Sequence, residues 1–291
     1  MGWRTVVISN RAKLECSLGS LVVRNKDGFK KIPIDEISMI IVESTAVSIT
    51  AALLAELDRK KVKIIFCDEK RSPFSEMVSY NGAYDSSMRI RRQIQWDDSM
   101  KSVIWTHIVA EKIKNQRDIL KKWGHEEWKL LDEYITELEL NDDSNREGHA
   151  AKVYFNALFG KEFSRNKDSF INAALNYGYS IIRSTFNREI VAYGYLTQLG
   201  IFHHNVHNHF NLSCDLMEPF RPLIDDCVIK MKPEKFEQDE KLVLIDILNQ
   251  TVIINGKKNT VQNAIGINAR SIIDALDEND LSKIRFLRNE L

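Results

Sequence analysis

The chain has 291 residues, and its 41 Lys and Arg balance 41 Asp and Glu, so the formal net charge is zero. Hydrophobic residues make up 44% and charged residues 28%, which excludes low-complexity, collagen-like and wholly disordered chains. The length suggests about two domains. The neutral total disfavours a protein that coats nucleic acid by bulk charge, although it leaves local basic patches open.

Membrane and disulfide-dependent classes are also disfavoured. The start of the chain has no apolar h-region behind a basic stretch, as a signal peptide would, and no apolar run reaches the ~18 residues of a membrane span. The four cysteines, at positions 16, 67, 214 and 227, contain no CxxC pair, which excludes a zinc ribbon. Scattered cysteines of this kind indicate reduced thiols, so we expect a cytoplasmic protein with no membrane segment.

The first 85 residues predict a β-rich domain. Short runs rich in β-branched residues, such as residues 5–9 and 38–43, are separated by Gly, Asn and Asp turn signals. One amphipathic helix is predicted over residues 49–59, and an apolar strand follows it. The sequence SYNGAYDSS then indicates a linker.

From about residue 87 the hydrophobic pattern becomes helical. The predicted helices are residues 99–122, 125–140, 146–159 and 170–199. Gly160 is a typical stop for the third helix, and the fourth is apolar around most of its circumference, which predicts a buried central helix. An Asn-Gly pair between two β-prone runs near residue 255 predicts a small hairpin.

Together these elements predict an α+β protein of two domains. The first, over residues 1–85, is a small β-sandwich-like domain with one helix. The second, over residues 86–291, is larger, mainly α-helical, and carries the small β-hairpin. The charge is uneven along the chain: +5 over residues 1–95, −5 over 96–150, +2 over 151–232 and −2 over 233–291. The zero total is therefore a cancellation between basic and acidic segments.

Histidines and carboxylates suggest a candidate site. Four histidines fall within residues 203–209, and acidic residues lie both upstream and downstream of them. One imidazole with carboxylates from two other segments would suit Mg²⁺ or Mn²⁺, which commonly assist phosphoryl transfer. The residues also allow simpler interpretations, because Ser144 with Glu147 and Asp215 with Glu218 have capping-box spacing. A histidine-rich loop can likewise be an ordinary polar turn.

Four motifs occur in a fixed order along most of the chain: EGHAAKVYFNALFG, ALNYGY, LGIFHH and DLMEPFRP. In this combination the sequence resembles the CRISPR-associated adaptation integrase, the catalytic subunit of the spacer-acquisition complex, and is most similar to its type II branch. The resemblance implies a metal-dependent DNA endonuclease and integrase. Such an enzyme inserts short DNA fragments into the CRISPR array by attack of a 3′-hydroxyl on a phosphodiester.

The resemblance also implies the site residues. Glu147, His203 and Glu218 match the catalytic metal ligands of the family, with Mg²⁺ or Mn²⁺ as the cofactor. Asp215 matches a position that supports the site, and His204 replaces His203 if the alignment of the doubled histidine shifts by one.

Expected partners follow from the same resemblance. They are double-stranded DNA (the prespacer and the CRISPR repeat), a second copy of the chain bound through the β-rich domain, and the small adaptation subunit. In type II systems the effector nuclease and a ring-shaped DNA-end-binding protein also take part. The basic residues that we single out as candidate phosphate contacts are Lys60, Lys61, Lys63, Arg89, Arg91, Arg92, Arg165, Lys167, Arg183 and Arg188.

Two other functions stay open on sequence grounds. One is a stand-alone metal-dependent nuclease that acts on branched DNA, with water as the nucleophile. The other is a non-catalytic DNA scaffold, whose expected signature, the loss of one ligand position, is absent at residues 147, 203 and 218.

Overall fold

The computed structural model describes residues 2–79 and 83–288, and the chain forms two compact units, residues 1–82 and 83–291. The sequence pattern placed the boundary slightly later, after residue 85. Residues 80–82 of the predicted linker lie outside the described residues.

The first unit is β-rich with one α-helix, as predicted, and its strands form two four-stranded sheets. Its strands are β1 (Arg4–Ile8), β2 (Ala12–Ser17), β3 (Ser20–Asn25), β4 (Gly28–Pro33), β5 (Ile37–Val42), β6 (Val47–Ile49), β7 (Lys63–Cys67) and β8 (Pro73–Glu76). One sheet has the order β1-β5-β7-β8 and the other β4-β3-β2-β6. In the first sheet β5 pairs in parallel with both neighbours and is buried at every residue, which is typical of a parallel strand covered on both faces.

Helix α1 (Ala51–Arg59) shows both an N-terminal cap and an apolar face that packs into the core. It begins after Thr50, whose hydroxyl accepts a hydrogen bond from the backbone N–H of Leu53 at 3.3 Å, a typical N-cap. Leu53 and Leu57, four residues apart on one face, are buried in the core of the unit.

The second unit is mainly helical. Its helices are α2 (Ser86–Ile94), α3 (Asp98–Lys122), α4 (Trp128–Thr136), α5 (Arg146–Phe159), α6 (Phe170–Ala192), α7 (Asn211–Met217), α8 (Arg221–Met231), α9 (Gln238–Asp246) and α10 (Val261–Glu278). Short 3₁₀ turns lie at Leu140–Asp142, Glu218–Phe220, Ile247–Asn249 and Leu281–Lys283. Within the described residues, none of the helices is both long enough and apolar enough to cross a bilayer.

The predicted hairpin is confirmed by β9 (Thr251–Ile254) and β10 (Lys257–Thr260), which pair antiparallel. Asn255 and Gly256 between them have φ values of 53° and 69°, and this left-handed pair is what a two-residue hairpin turn needs. A third strand, β11 (Leu287–Arg288), pairs with the other edge of β9. The sequence did not predict β11, because two residues carry no measurable periodicity.

Two predicted helices are shorter than expected. The helix predicted over residues 125–140 is reduced to α4 at both ends, and Asn141 and Asp142, which follow the predicted helix, both have positive φ. The helix predicted over residues 170–199 ends at Ala192, because Gly194 adopts φ 88° and stops it despite the apolar residues that follow. The predicted helix over 146–159 and its stop at Gly160, with φ 93°, are confirmed.

Candidate active site

Glu147 lies in the first turn of α5, where the helix start is organised by another residue. The carboxylate of Asp142 accepts hydrogen bonds from the backbone N–H of Arg146 at 2.7 Å and of Glu147 at 3.1 Å. Within the described residues the Ser144 hydroxyl is buried without a hydrogen-bond partner. The capping box considered for Ser144 and Glu147 is therefore wrong, and the Glu147 side chain is available for other contacts.

Glu218 opens the 3₁₀ turn Glu218–Phe220 between α7 and α8. Asp215 lies inside α7 rather than before a helix, so the capping box considered for Asp215 and Glu218 is also wrong. The backbone at this turn is held by Asn115 of α3, whose side-chain amide donates to the carbonyl of Pro219 at 2.9 Å.

The two glutamates converge on a buried lysine. Nζ of Lys112 lies 2.5 Å from Oε1 of Glu147 and 2.5 Å from Oε2 of Glu218. The other carboxylate oxygen of Glu218, Oε1, lies 2.8 Å from Nε of Arg221. The side chains of Lys112 and Glu218 are 9% and 4% exposed, whereas Glu147 is 23% exposed. Two carboxylates from separate segments thus share one cationic group in a nearly dry environment.

Electrostatics keeps this cluster charged. Burial by itself would raise the pKa of Glu218, but Arg221 and Lys112 outweigh it and lower the pKa to about 2. Burial likewise would lower the pKa of Lys112, but Glu218 and Glu147 outweigh it and raise the pKa. Such a cluster is stable only while both the ammonium and the carboxylates are charged, because an unpaired buried charge is costly.

His203 is fixed by Asp215, which is fully buried. Nδ1 of His203 lies 2.5 Å from Oδ1 of Asp215. The same carboxylate accepts hydrogen bonds from the backbone N–H groups of Ile201 (2.6 Å), Phe202 (3.1 Å) and His203 (3.1 Å). The hydrogen bond to Asp215 raises the pKa of His203 against the effect of burial, and the negative charges of Glu218 and Glu147 raise it further. Burial raises the pKa of Asp215 itself.

An aromatic pair borders the histidine. The rings of Trp105, on α3, and Phe202 stack with centroids 4.4 Å apart and planes 1° apart. The His203 ring meets Trp105 edge-on, with centroids 5.7 Å apart. Helix α3 therefore contributes Trp105, Lys112 and Asn115 to one region, which brings the three predicted site residues into contact with a single helix.

His204 is placed differently from His203. Its side chain is exposed and lines a cavity of about 510 Å³ together with His209, Gln198 and Lys101. The hydrogen bonds to Asp215 involve His203, so the structure favours His203 as the histidine of the site.

The predicted ligands can be compared with what a divalent cation requires. Over residues 2–79 and 83–288, no three His, Cys, Asp or Glu side chains are arranged to hold a metal ion directly. The two predicted carboxylate ligands instead hold the Lys112 ammonium, which shows that their oxygens converge on a position for positive charge. Carboxylate oxygens with one imidazole are suitable ligands for Mg²⁺ or Mn²⁺.

Comparison with known proteins assigns the chain to a family. Residues 5–253 match the sequence model of the family described as CRISPR associated protein Cas1. The chain belongs to the Cas1 family. It is 35% identical over 232 residues to the CRISPR-associated endonuclease Cas1 of Neisseria meningitidis, which covers 79% of this chain and 76% of that protein. It is 30% identical over 279 residues to an endonuclease Cas1 of Francisella tularensis subsp. novicida, covering 85% and 87%.

Solved structures share the Cas1 fold. A Cas1 protein from Thermotoga maritima superposes with a TM-score of 0.80 at 18% identity, covering 94% of this chain and 97% of that one. A casposase bound to an integration product superposes with a TM-score of 0.73 at 18% identity, covering 95% and 91%. These structures confirm the predicted architecture of a β-rich unit followed by a mainly helical one.

The arginines singled out near the site of this Cas1 family member have aromatic and amide neighbours. The Arg165 guanidinium donates to the side-chain oxygens of Asn172 and Asn176, both at 2.6 Å, and lies 5.3 Å from the Tyr179 ring centroid. Arg183 lies 5.1 Å from the ring centroid of Phe210.

Other candidate phosphate contacts are engaged within the fold. Arg89 pairs with Asp85 at 2.8 Å and lies over the Tyr193 ring. Lys63, which is 4% exposed, pairs with Glu76 at 2.6 Å.

The arginines at positions 188 and 92 differ in exposure. Arg188 is 9% exposed and pairs with its neighbour Glu189 at 2.6 Å. Arg92 is 56% exposed, with its guanidinium 3.8 Å from Asp277.

Sequence reasoning missed Lys112, and a signal for it existed. Lys112 follows Ile108 by four residues and Val109 by three, so it occupies the buried face of α3. A lysine at such a position requires a buried partner. The partners could not be named, because Glu147 and Glu218 lie 35 and 106 residues further along the chain.

Proposed function

We propose that this chain is a metal-dependent DNA endonuclease and integrase of CRISPR adaptation. It joins the 3′-hydroxyl of a short DNA fragment to a phosphodiester at the edge of a repeat. The observation that carries the proposal is the convergence of Glu147 and Glu218 on one cation in a member of the Cas1 family. The relatives from Neisseria and Francisella are named endonucleases, which supports the same activity here.

Glu147, His203 and Glu218 would hold Mg²⁺ or Mn²⁺. When bound, the metal supplies Lewis-acid stabilisation of the attacking and leaving oxygens of the phosphodiester. Asp215 acts on the histidine by holding its Nδ1, which leaves Nε2 as the nitrogen with a lone pair for the ligand role. Arg221 fixes the orientation of the Glu218 carboxylate through the hydrogen bond to Oε1.

The expected partners are double-stranded DNA, as prespacer and as repeat, a second copy of the chain joined through the β-rich unit, and the small adaptation subunit. A structure described as a Cas6-RT-Cas1–Cas2 complex covers 99% of this chain with a TM-score of 0.77, in line with assembly around this fold. The type II effector nuclease and the ring-shaped DNA-end binder stay predictions from the sequence resemblance.

The test is strand transfer of a labelled prespacer into a repeat-containing plasmid, with Mg²⁺ or Mn²⁺ supplied. We expect Glu147→Gln and Glu218→Gln to reduce joining to background, because each removes a negative ligand while preserving shape. Glu126→Gln, at a carboxylate on the surface of the acidic segment, is the matched control and should join at the wild-type rate. Circular dichroism checks that each variant is folded.

The same assay separates the alternatives. Undiminished joining by both glutamate variants, or wild-type joining after exhaustive chelation, would overturn the proposal. If the wild type cuts branched DNA but never joins a supplied 3′-hydroxyl, the stand-alone nuclease is the correct function. If it neither cuts nor joins while binding DNA, the scaffold is correct.

A further inference from the structure

The position of Lys112 needs an explanation beyond stability. Its ammonium lies within 2.5 Å of one oxygen from each of the two glutamates. A buried ion pair gives little net stabilisation compared with apolar side chains of similar volume, so burial of a lysine here is weak grounds for a purely structural role. The same two oxygens belong to residues that the proposed function assigns to a metal.

A metal and this ammonium compete for the same space. Mg²⁺ binds carboxylate oxygens at about 2.0–2.1 Å, so a cation on Glu147 and Glu218 would lie where Nζ of Lys112 now lies. Two positive charges at that separation in a poorly solvated site repel strongly. The flexible four-carbon stem of lysine allows the ammonium to withdraw without movement of the α3 backbone.

We propose that Lys112 is a placeholder cation, which holds Glu147 and Glu218 together in the metal-free protein and is displaced when a divalent cation binds. The inference rests on the proposed function, since it assumes that these glutamates are metal ligands. Its consequence is a lowered apparent metal affinity, because only the fraction of molecules with the ammonium withdrawn can accept the ion. Lys112 is thus a positioning residue for the ligands and a competitor of the metal.

Replacement of Lys112 by an uncharged side chain distinguishes this role from a structural one. If Lys112 only maintained the shape of the site, its removal would leave metal affinity unchanged or weakened. If it competes with the metal, removal strengthens binding, because Glu147 and Glu218 lose their internal cation. Arg221 still pairs with Oε1 of Glu218 in such a variant and offsets part of the exposed negative charge.

The experiment titrates Mn²⁺ into metal-free, DNA-free protein and follows free Mn²⁺ by electron paramagnetic resonance. We expect Lys112→Met to lower the Kd of the site by about tenfold or more, equivalent to about 1.4 kcal/mol. Lys122→Met is the matched control on the same helix, since Lys122 pairs with Asp226 at 3.3 Å and touches neither glutamate. It should bind Mn²⁺ as the wild type does.

Thermal unfolding gives a second readout. Lys112→Met should melt below the wild type without metal and gain more than the wild type when Mn²⁺ is added. If Lys112→Met does not fold, Lys112→Gln takes its place in the same comparison, because glutamine retains a hydrogen-bond donor. Equal or weaker Mn²⁺ binding by the folded uncharged variant would overturn the inference while leaving the proposed function intact.

Failure of the proposed function gives a different result. In that case the wild type shows no Mn²⁺ site that Glu147→Gln abolishes, and both the metal assignment and the role of Lys112 are overturned together.

Discussion

The imidazole of His203 is held by Asp215 at 2.5 Å, and the same carboxylate accepts three backbone N–H groups from residues 201–203. One fully buried side chain therefore fixes both the ring and the loop that carries it. Such carboxylate–histidine pairs set which ring nitrogen carries the proton and how the ring is oriented.

Asp215→Asn tests this arrangement. The amide keeps the shape but replaces one acceptor oxygen by a donor, so at least one N–H of the loop loses its partner. We expect the free energy of unfolding to fall by about 1–3 kcal/mol and the pKa of His203 to fall, because the hydrogen bond that raises it is weakened. NMR titration of the histidine rings in metal-free protein measures the shift, with His125 as an internal control. An unchanged His203 pKa would contradict the pairing.

At the start of α5, substitution of Asp142 and substitution of Ser144 should have different effects on the free energy of unfolding. Asp142→Ala removes the acceptor of two backbone N–H groups, so we expect a loss of about 1–2 kcal/mol in the free energy of unfolding. Ser144→Ala should change it little, since no described hydrogen bond is lost. Urea unfolding of both variants decides between them. A larger loss for Ser144→Ala would restore the capping box inferred from the sequence.

Asp225 gives the protein a distinct pH dependence. Burial raises its pKa from 3.8 to about 6, and the Tyr179 hydroxyl donates to its carboxylate. Between about pH 4 and 6 the folded state binds more protons than the unfolded state. Stability from this group is therefore lost as pH rises through 6, by up to about 3 kcal/mol. Asp225→Asn should remove that loss in urea unfolding measured at several pH values.

The neighbouring Asp226 serves as a control, because its pKa is shifted in the opposite direction to that of Asp225. Burial would raise its pKa, but Lys230 and Trp123 outweigh burial and lower it. Its stabilising contribution is present above pH 4 and lost as pH falls, so Asp226→Asn should destabilise the protein at neutral pH. A stability gain for Asp226→Asn, or a loss for Asp225→Asn at pH 7, would contradict these two environments.

Arg165 and Arg183 stay candidate phosphate contacts of the proposed DNA enzyme. If each neutralises one phosphate, Arg165→Gln and Arg183→Gln should each weaken binding and reduce the slope of log K against log salt by about 0.9. Fluorescence anisotropy with a duplex at several salt concentrations measures both quantities. Lys129→Gln, in the acidic segment, should leave the slope unchanged, and slopes for the arginine variants equal to that control would remove them as contacts.

Local sequence signals predicted much of this fold. The amphipathic helix predicted over residues 49–59 and the left-handed Asn255-Gly256 turn depend on a few nearby residues, so their patterns are visible in the chain. The early end of α6 was missed, because apolar residues continue beyond Gly194 and hydrophobic periodicity cannot show a single change of backbone conformation.

The site was predicted only in part, for a related reason. Motifs identified Glu147, His203 and Glu218, but spacing could not distinguish a capping glutamate from one directed at another side chain. That distinction depends on Asp142, whose own left-handed conformation brings its carboxylate under α5. Lys112 depends on contacts across 35 and 106 residues, which local patterns do not encode.

Helix α3 contacts each part of the site at a fixed spacing. Trp105 borders the His203 ring, Lys112 meets both glutamates, and Asn115 holds the backbone after Glu218. At 3.6 residues per turn, Trp105 and Lys112 are about two turns apart and share one face. A single inserted or deleted residue between them would rotate one by about 100° relative to the other. In evolution, this stretch should therefore accept substitutions on its outer face while keeping its length constant.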